Sequence, residues 1–141
     1  MAISDSQTFD PNQNSPDERT AQILVIDDDK QIRRVLKEIL ENANYSVIEA
    51  CDGEEGLSTC RKETVDLVIT DILMPGKEGP ETIRELSQEW PNLKVIAISG
   101  GFISNLDVVE LAKKFLVNRV LYKPFDNEML LDTVRDVLRE H

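Results

Sequence analysis

The chain has 141 residues, 40% of them hydrophobic, and a formal net charge of -11 at pH 7. That length suits one domain with its own core and is short for two. The acidic balance argues against a self-contained nucleic-acid binder, which needs clustered Lys and Arg to meet phosphates. Cys51 and Cys60 are not spaced as a metal pair and the only histidine is His141, so no zinc-type cluster is encoded. No basic leader precedes an apolar stretch, and no apolar run is long enough to cross a bilayer. The expectation is a soluble, cytoplasmic protein with no membrane contact.

Residues 1–20 are polar apart from Phe9 and the first few positions. Such a stretch buries too little to offset its chain entropy and reads as a disordered tail, leaving 21–141 as the domain. From Gln22 the pattern alternates. Ile23 to Ile26 is a buried strand; Ile32, Val35, Leu36, Ile39 and Leu40 then form one helical stripe, capped by Asp29. Tyr45 to Ala50 is a second strand, followed after Asp52-Gly53 by a short helix with Leu57 and Cys60 inward. Val65 to Thr70 is a third, ended by Asp71 and a loop containing Pro75. Pro80 opens the next helix, buried through Ile83, Leu86 and Trp90, and Pro91 stops it. Leu93 to Ile98 is the fourth strand. A helix from Leu106 to Leu116, a short strand Arg119 to Tyr122, and a last helix capped by Asp126 with Leu130, Val134, Val137 and Leu138 inward complete the chain. Strands and helices in alternation imply an α/β fold, a doubly wound parallel sheet of flavodoxin-like architecture with five strands and five helices.

In such sheets chemistry gathers at the carboxyl ends of the strands. Four apolar strands here deliver polar groups to that edge: Asp27, Asp28 and Asp29, then Asp71, then Ser99, then Lys123. Several carboxylates in one crevice disfavour joint ionisation unless a cation compensates them. An oxygen-rich set without His or Cys suits Mg²⁺, and a bound divalent ion favours a phosphate ligand that Ser99 and Lys123 could hold. Each residue alone has a plainer reading: Asp as a helix cap, Ser99 as a turn residue, Lys123 as a surface charge. Their convergence on the ends of buried strands favours the chemical one.

The same residues resemble the receiver domains of two-component response regulators, in particular chemotaxis-regulator-like ones. The resemblance rests on Val25-Ile26-Asp27-Asp28, Thr70-Asp71-Ile72-Leu73-Met74-Pro75 with Gly79, Ile98-Ser99-Gly100 and Lys123-Pro124-Phe125, and covers about residue 22 to the end. It implies strand order 2-1-3-4-5 and Asp71 as the phosphoacceptor. It further implies Mg²⁺ held by Asp28, Asp71 and the main-chain carbonyl of Leu73, with Asp27 acting through water. Ser99 would take the switch position, and Lys123 would pair with Asp71 or its phosphoryl group. The implied partners are a sensor histidine kinase or phosphotransfer protein. A downstream target or a second copy would use the fourth helix, fifth strand and fifth helix. The protein would be no enzyme beyond self-phosphorylation from a donor and autodephosphorylation.

Val120 departs from the family pattern, which commonly places an aromatic residue there; Tyr122 directly precedes Lys123 instead. The end of the chain at His141 gives the expectation of a receiver without an output domain, either a stand-alone regulator or a receiver cut from a longer protein. A cis Lys123-Pro124 peptide is expected, since X-Pro is the bond where cis costs least. Signal exit is expected through residues 100–116. Two rivals stand beside this reading. A haloacid-dehalogenase-like phosphatase would use the Asp-x-Asp spacing of Asp27 and Asp29 but gives Asp71 no role. A pseudo-receiver binding module would have no need of intact Asp28, Asp71 and Lys123.

Overall fold

A computed structural model describes residues 20–72, 78–100, 113 and 116–140. Five strands alternate with four described helices: β1 Gln22–Ile26, α1 Lys30–Asn42, β2 Ser46–Ala50, α2 Gly53–Lys62, β3 Leu67–Asp71, α3 Glu78–Glu89, β4 Lys94–Ser99, β5 Arg119–Tyr122 and α4 Asn127–Arg139. All pairings are parallel and the order is β2-β1-β3-β4-β5, the flavodoxin-like order. The helix expected between β4 and β5 falls almost wholly outside the described residues. So does the expected tail, apart from Thr20.

The central strands are apolar through Ile23–Ile26, Leu67–Ile69 and Val95–Ile98 because both faces of the sheet are covered, as parallel sheets require. Leu24, Ile26, Val68, Val95, Ala97 and Val120 point to one face, where Leu57 and Cys60 of α2 and Ile83 and Leu86 of α3 meet them. Ile23, Val25, Leu67, Ile69, Ile96 and Ile98 point to the other, against Leu36 and Leu40 of α1 and Leu130, Val134 and Val137 of α4. Truncating one of the buried Leu or Ile side chains to Ala costs about 2–5 kcal/mol, so the two cores set the spacing of the strand ends.

Local signals explain the helix starts. Asp29 accepts hydrogen bonds from the N–H groups of Gln31 (2.8 Å) and Ile32 (3.4 Å), and Asp126 accepts one from Met129 N–H (2.8 Å). Both caps lie where the sequence places them. Three details differ from the sequence reading. Val35 is 57% exposed, because it lies about 100° around the helix from Leu36, at the margin of the buried arc. Pro80 is the third residue of α3, still within the first turn, where N–H groups lack helical acceptors. Leu116 is exposed, not inward, and sits in the left-handed region at φ 61° in the turn before β5. The Lys123-Pro124 peptide is cis, as expected.

Candidate functional site

Asp71 is the last residue of β3, in register with Ile98 of β4, and is 9% exposed. Residues 73–77 lie outside the described set, so the expected role of the Leu73 carbonyl is outside it too. Across the sheet edge, Lys123 follows β5 and its Nζ donates to Asp71 Oδ2 at 3.2 Å. The Lys123 backbone is tied to the same edge, its N–H donating to Ser99 O at 2.9 Å. Ser99 ends β4, is fully buried, and pairs in register with Tyr122. An aromatic side chain therefore sits on the strand beside Ser99 although Val120 is aliphatic and buried.

Asp27 follows β1 and is 2% exposed. Its Oδ1 accepts from Asp29 N–H at 2.9 Å, while its Oδ2 is buried and no donor among the described residues reaches it. Burial pushes the Asp27 carboxyl up to about 6. The charge of Asp71 and the adjacent Asp28 carboxyl push the same way, against the pull of Asp29 N–H and the Lys123 cation. The carboxylates of Asp27 and Asp71 and the amine of Lys123 thus share a crevice. Asp28 lies at the exposed rim. Among the described residues no three His, Cys, Asp or Glu side chains close into a ready-made cage for a metal. A hard cation such as Mg²⁺ does not need one, since it keeps several waters and takes one or two carboxylates. The undonated, buried Asp27 oxygen beside Asp71 is the kind of group such an ion satisfies, so the residues present fit it.

Asp29, by contrast, is committed to the α1 N-terminus. That leaves the Asp-x-Asp spacing explained by helix capping.

Two residues that the sequence reading passed over complete the surroundings. Arg33 donates through Nη1 to Asp27 O at 2.6 Å and through Nε to Glu49 Oε1 at 3.2 Å. The available signals were a basic residue in the first turn of the helix after the acidic loop, and a lone carboxylate, Glu49, in a strand of otherwise uncharged residues.

A model of the response regulator receiver domain matches residues 23–135. The chain belongs to that family. Transcriptional regulatory protein CpxR of Klebsiella pneumoniae is 35% identical to this receiver domain over 117 residues, 83% of this chain and 49% of the relative. The chain therefore spans about half the length of the CpxR relatives it matches. Sporulation initiation phosphotransferase F of Bacillus subtilis is 29% identical over 119 residues, covering 84% of this chain and 91% of that protein. Among solved structures, response regulator protein TrrA of Thermotoga maritima in complex with Mg(2+)-BeF superposes with a TM-score of 0.73 at 30% identity, covering 84% of this chain and 99% of that one. The receiver domain is the phosphorelay module of two-component systems. No helix among the described residues is long and apolar enough to cross a membrane.

Proposed function

We propose that Asp71 is the phosphoacceptor of this receiver domain, taking a phosphoryl group from a sensor histidine kinase or phosphotransfer protein. The observation that carries this reading is the pairing of buried Asp71 with Lys123 Nζ at 3.2 Å, beside the undonated oxygen of Asp27. Lys123 holds one Asp71 oxygen in place and supplies positive charge where an anionic donor must approach. Asp27 and Asp28, with Asp71 and the Leu73 carbonyl, would hold Mg²⁺, which when bound neutralises the acidic crevice and the incoming phosphoryl oxygens. Ser99, at the end of the neighbouring strand, would donate its hydroxyl to the transferred group and draw the following loop toward it. The chain would accept and lose this group without turning over a separate substrate, acting in the cytoplasm as a switch.

The partner or self-association surface is assigned to the segment after β4 with β5 and α4, the elements that follow Ser99 and Lys123. The test is acetyl phosphate with Mg²⁺, read by intact mass: one phosphoryl group is added, and Asp71→Asn abolishes the gain. Labelling that survives both EDTA and Asp71→Asn overturns the reading. Amide exchange with and without beryllofluoride tests the exit route, with residues 100–116 expected to change most and α2 or α3 least.

A further inference from the structure

The carbonyl of Asp27 lies one residue past the last rung between β1 and β3, which pairs Ile26 with Thr70. On the other side the Asp27 N–H still reaches Ala50 O of β2 at 3.1 Å. The carbonyl is instead met by Arg33 Nη1 at 2.6 Å, from the first turn of α1. The same guanidinium donates Nε to Glu49 Oε1 at 3.2 Å, and Lys37 stands 3.8 Å from the second oxygen of that carboxylate. The Arg33 side chain is only 13% exposed, so little water competes for these charge-assisted bonds.

We infer that Arg33, braced by Glu49, is a positioning residue that fixes the Asp27 backbone and so aims the Asp27 carboxylate at the phosphoacceptor edge. Three bonds determine the pose of Asp27: N–H to Ala50, C=O from Arg33, and Oδ1 from Asp29 N–H. Arg33 alone among the three is a side chain, and it links the acidic loop to α1 and β2 together. A planar guanidinium can reach two acceptors at a fixed separation, whereas an ammonium is a point charge without that fork. The consequence for Mg²⁺ rests on the phosphoacceptor reading; the clamp itself does not.

Positioning and charge make opposite predictions. A cation near a divalent-ion site repels the ion, so deleting Arg33 for its charge alone tightens Mg²⁺ binding. Deleting a clamp on a ligand-bearing loop weakens it, by about tenfold for groups that orient metal ligands. Two measurements decide between them on the full chain, using Arg33→Ala and the charge-preserving Arg33→Lys. In metal-free protein, amide exchange at Asp29, whose N–H holds Asp27 Oδ1, is expected to accelerate at least several-fold in both variants while core amides of β1 and β3 stay protected. Mg²⁺ alone, titrated by amide chemical shifts, is expected to bind about tenfold more weakly to both. Unchanged exchange at Asp29, tighter Mg²⁺ binding to Arg33→Ala, or wild-type affinity in Arg33→Lys overturns the inference. If the wild type takes up no Mg²⁺, the phosphoacceptor reading fails, and the metal-free exchange result still decides the clamp.

Discussion

At Asp27, burial and function oppose each other. Its carboxyl is pushed up to about 6 from an ordinary value of 3.8, first by burial and then by its acidic neighbours. An acid whose folded pKa exceeds its unfolded value binds more protons when folded, so its contribution to stability is complete below about 3.8 and lost as pH rises through about 6. Without a cation, the fold carries a disfavoured anion at neutral pH. Asp27→Asn keeps the shape and removes that charge. The variant is expected to gain on the order of 2 kcal/mol at pH 7, since one pKa unit corresponds to about 1.4 kcal/mol. It is also expected to lose the decline in stability between about pH 4 and 6. Urea unfolding in EDTA across that range measures both effects. A variant weaker than wild type at neutral pH would show that the Asp29 N–H bond outweighs desolvation.

Between elements, α2 packs tightly against α3 at Gly53. A Cβ built on Gly53 would lie 1.7 Å from Thr82 Oγ1 and 2.9 Å from Thr82 Cβ, and Thr82 is itself buried. Rotating the Thr82 side chain moves its Oγ1 but not its Cβ, so the two helices must separate. Replacing Gly by Ala in a helix gains at most about 1 kcal/mol of propensity, whereas overpacking a buried contact costs about 1–3 kcal/mol. Gly53→Ala is therefore expected to destabilise on balance, and adding Thr82→Ala to recover part of the loss, both read from urea midpoints. The exposed Arg61–Glu89 pair also joins α2 to α3, but exposed pairs contribute about 0–1 kcal/mol and would not hide the effect.

For the molecule as a whole, a net charge of -11 means that any cation relieves some repulsion, so salt and specific binding must be separated. A ligand that binds only the folded state stabilises it by about 2.7 kcal/mol when present at 100 times its Kd. Mg²⁺ is expected to raise the unfolding midpoint accordingly at an ionic strength where added Na⁺ no longer does. Asp71→Asn should lose most of that increment. A Mg²⁺ effect equal to that of Na⁺ at matched ionic strength would mean screening alone.

The alternation of strand and helix, the apolar strands, the caps Asp29 and Asp126, and the delivery of Asp27, Asp71, Ser99 and Lys123 to one edge were all legible in the sequence. Each depends on local periodicity or on a residue's own backbone chemistry, and a parallel α/β topology converts strand ends into neighbours. What required tertiary structure depends on which groups meet across elements. The exposure of Val35 follows from how α1 lies on the sheet, and the left-handed Leu116 from how the chain turns into β5. The need for glycine at position 53 comes from Thr82, 29 residues further along the chain. Arg33 lies only a few residues beyond Asp27, yet it takes the packing of α1 beside β2 to bring its guanidinium between the Asp27 carbonyl and Glu49. Burial of the Asp27 carboxylate with an oxygen lacking a donor is likewise a property of the packed crevice. Periodicity identifies which side chains go inward, and packing decides which of their polar atoms find partners.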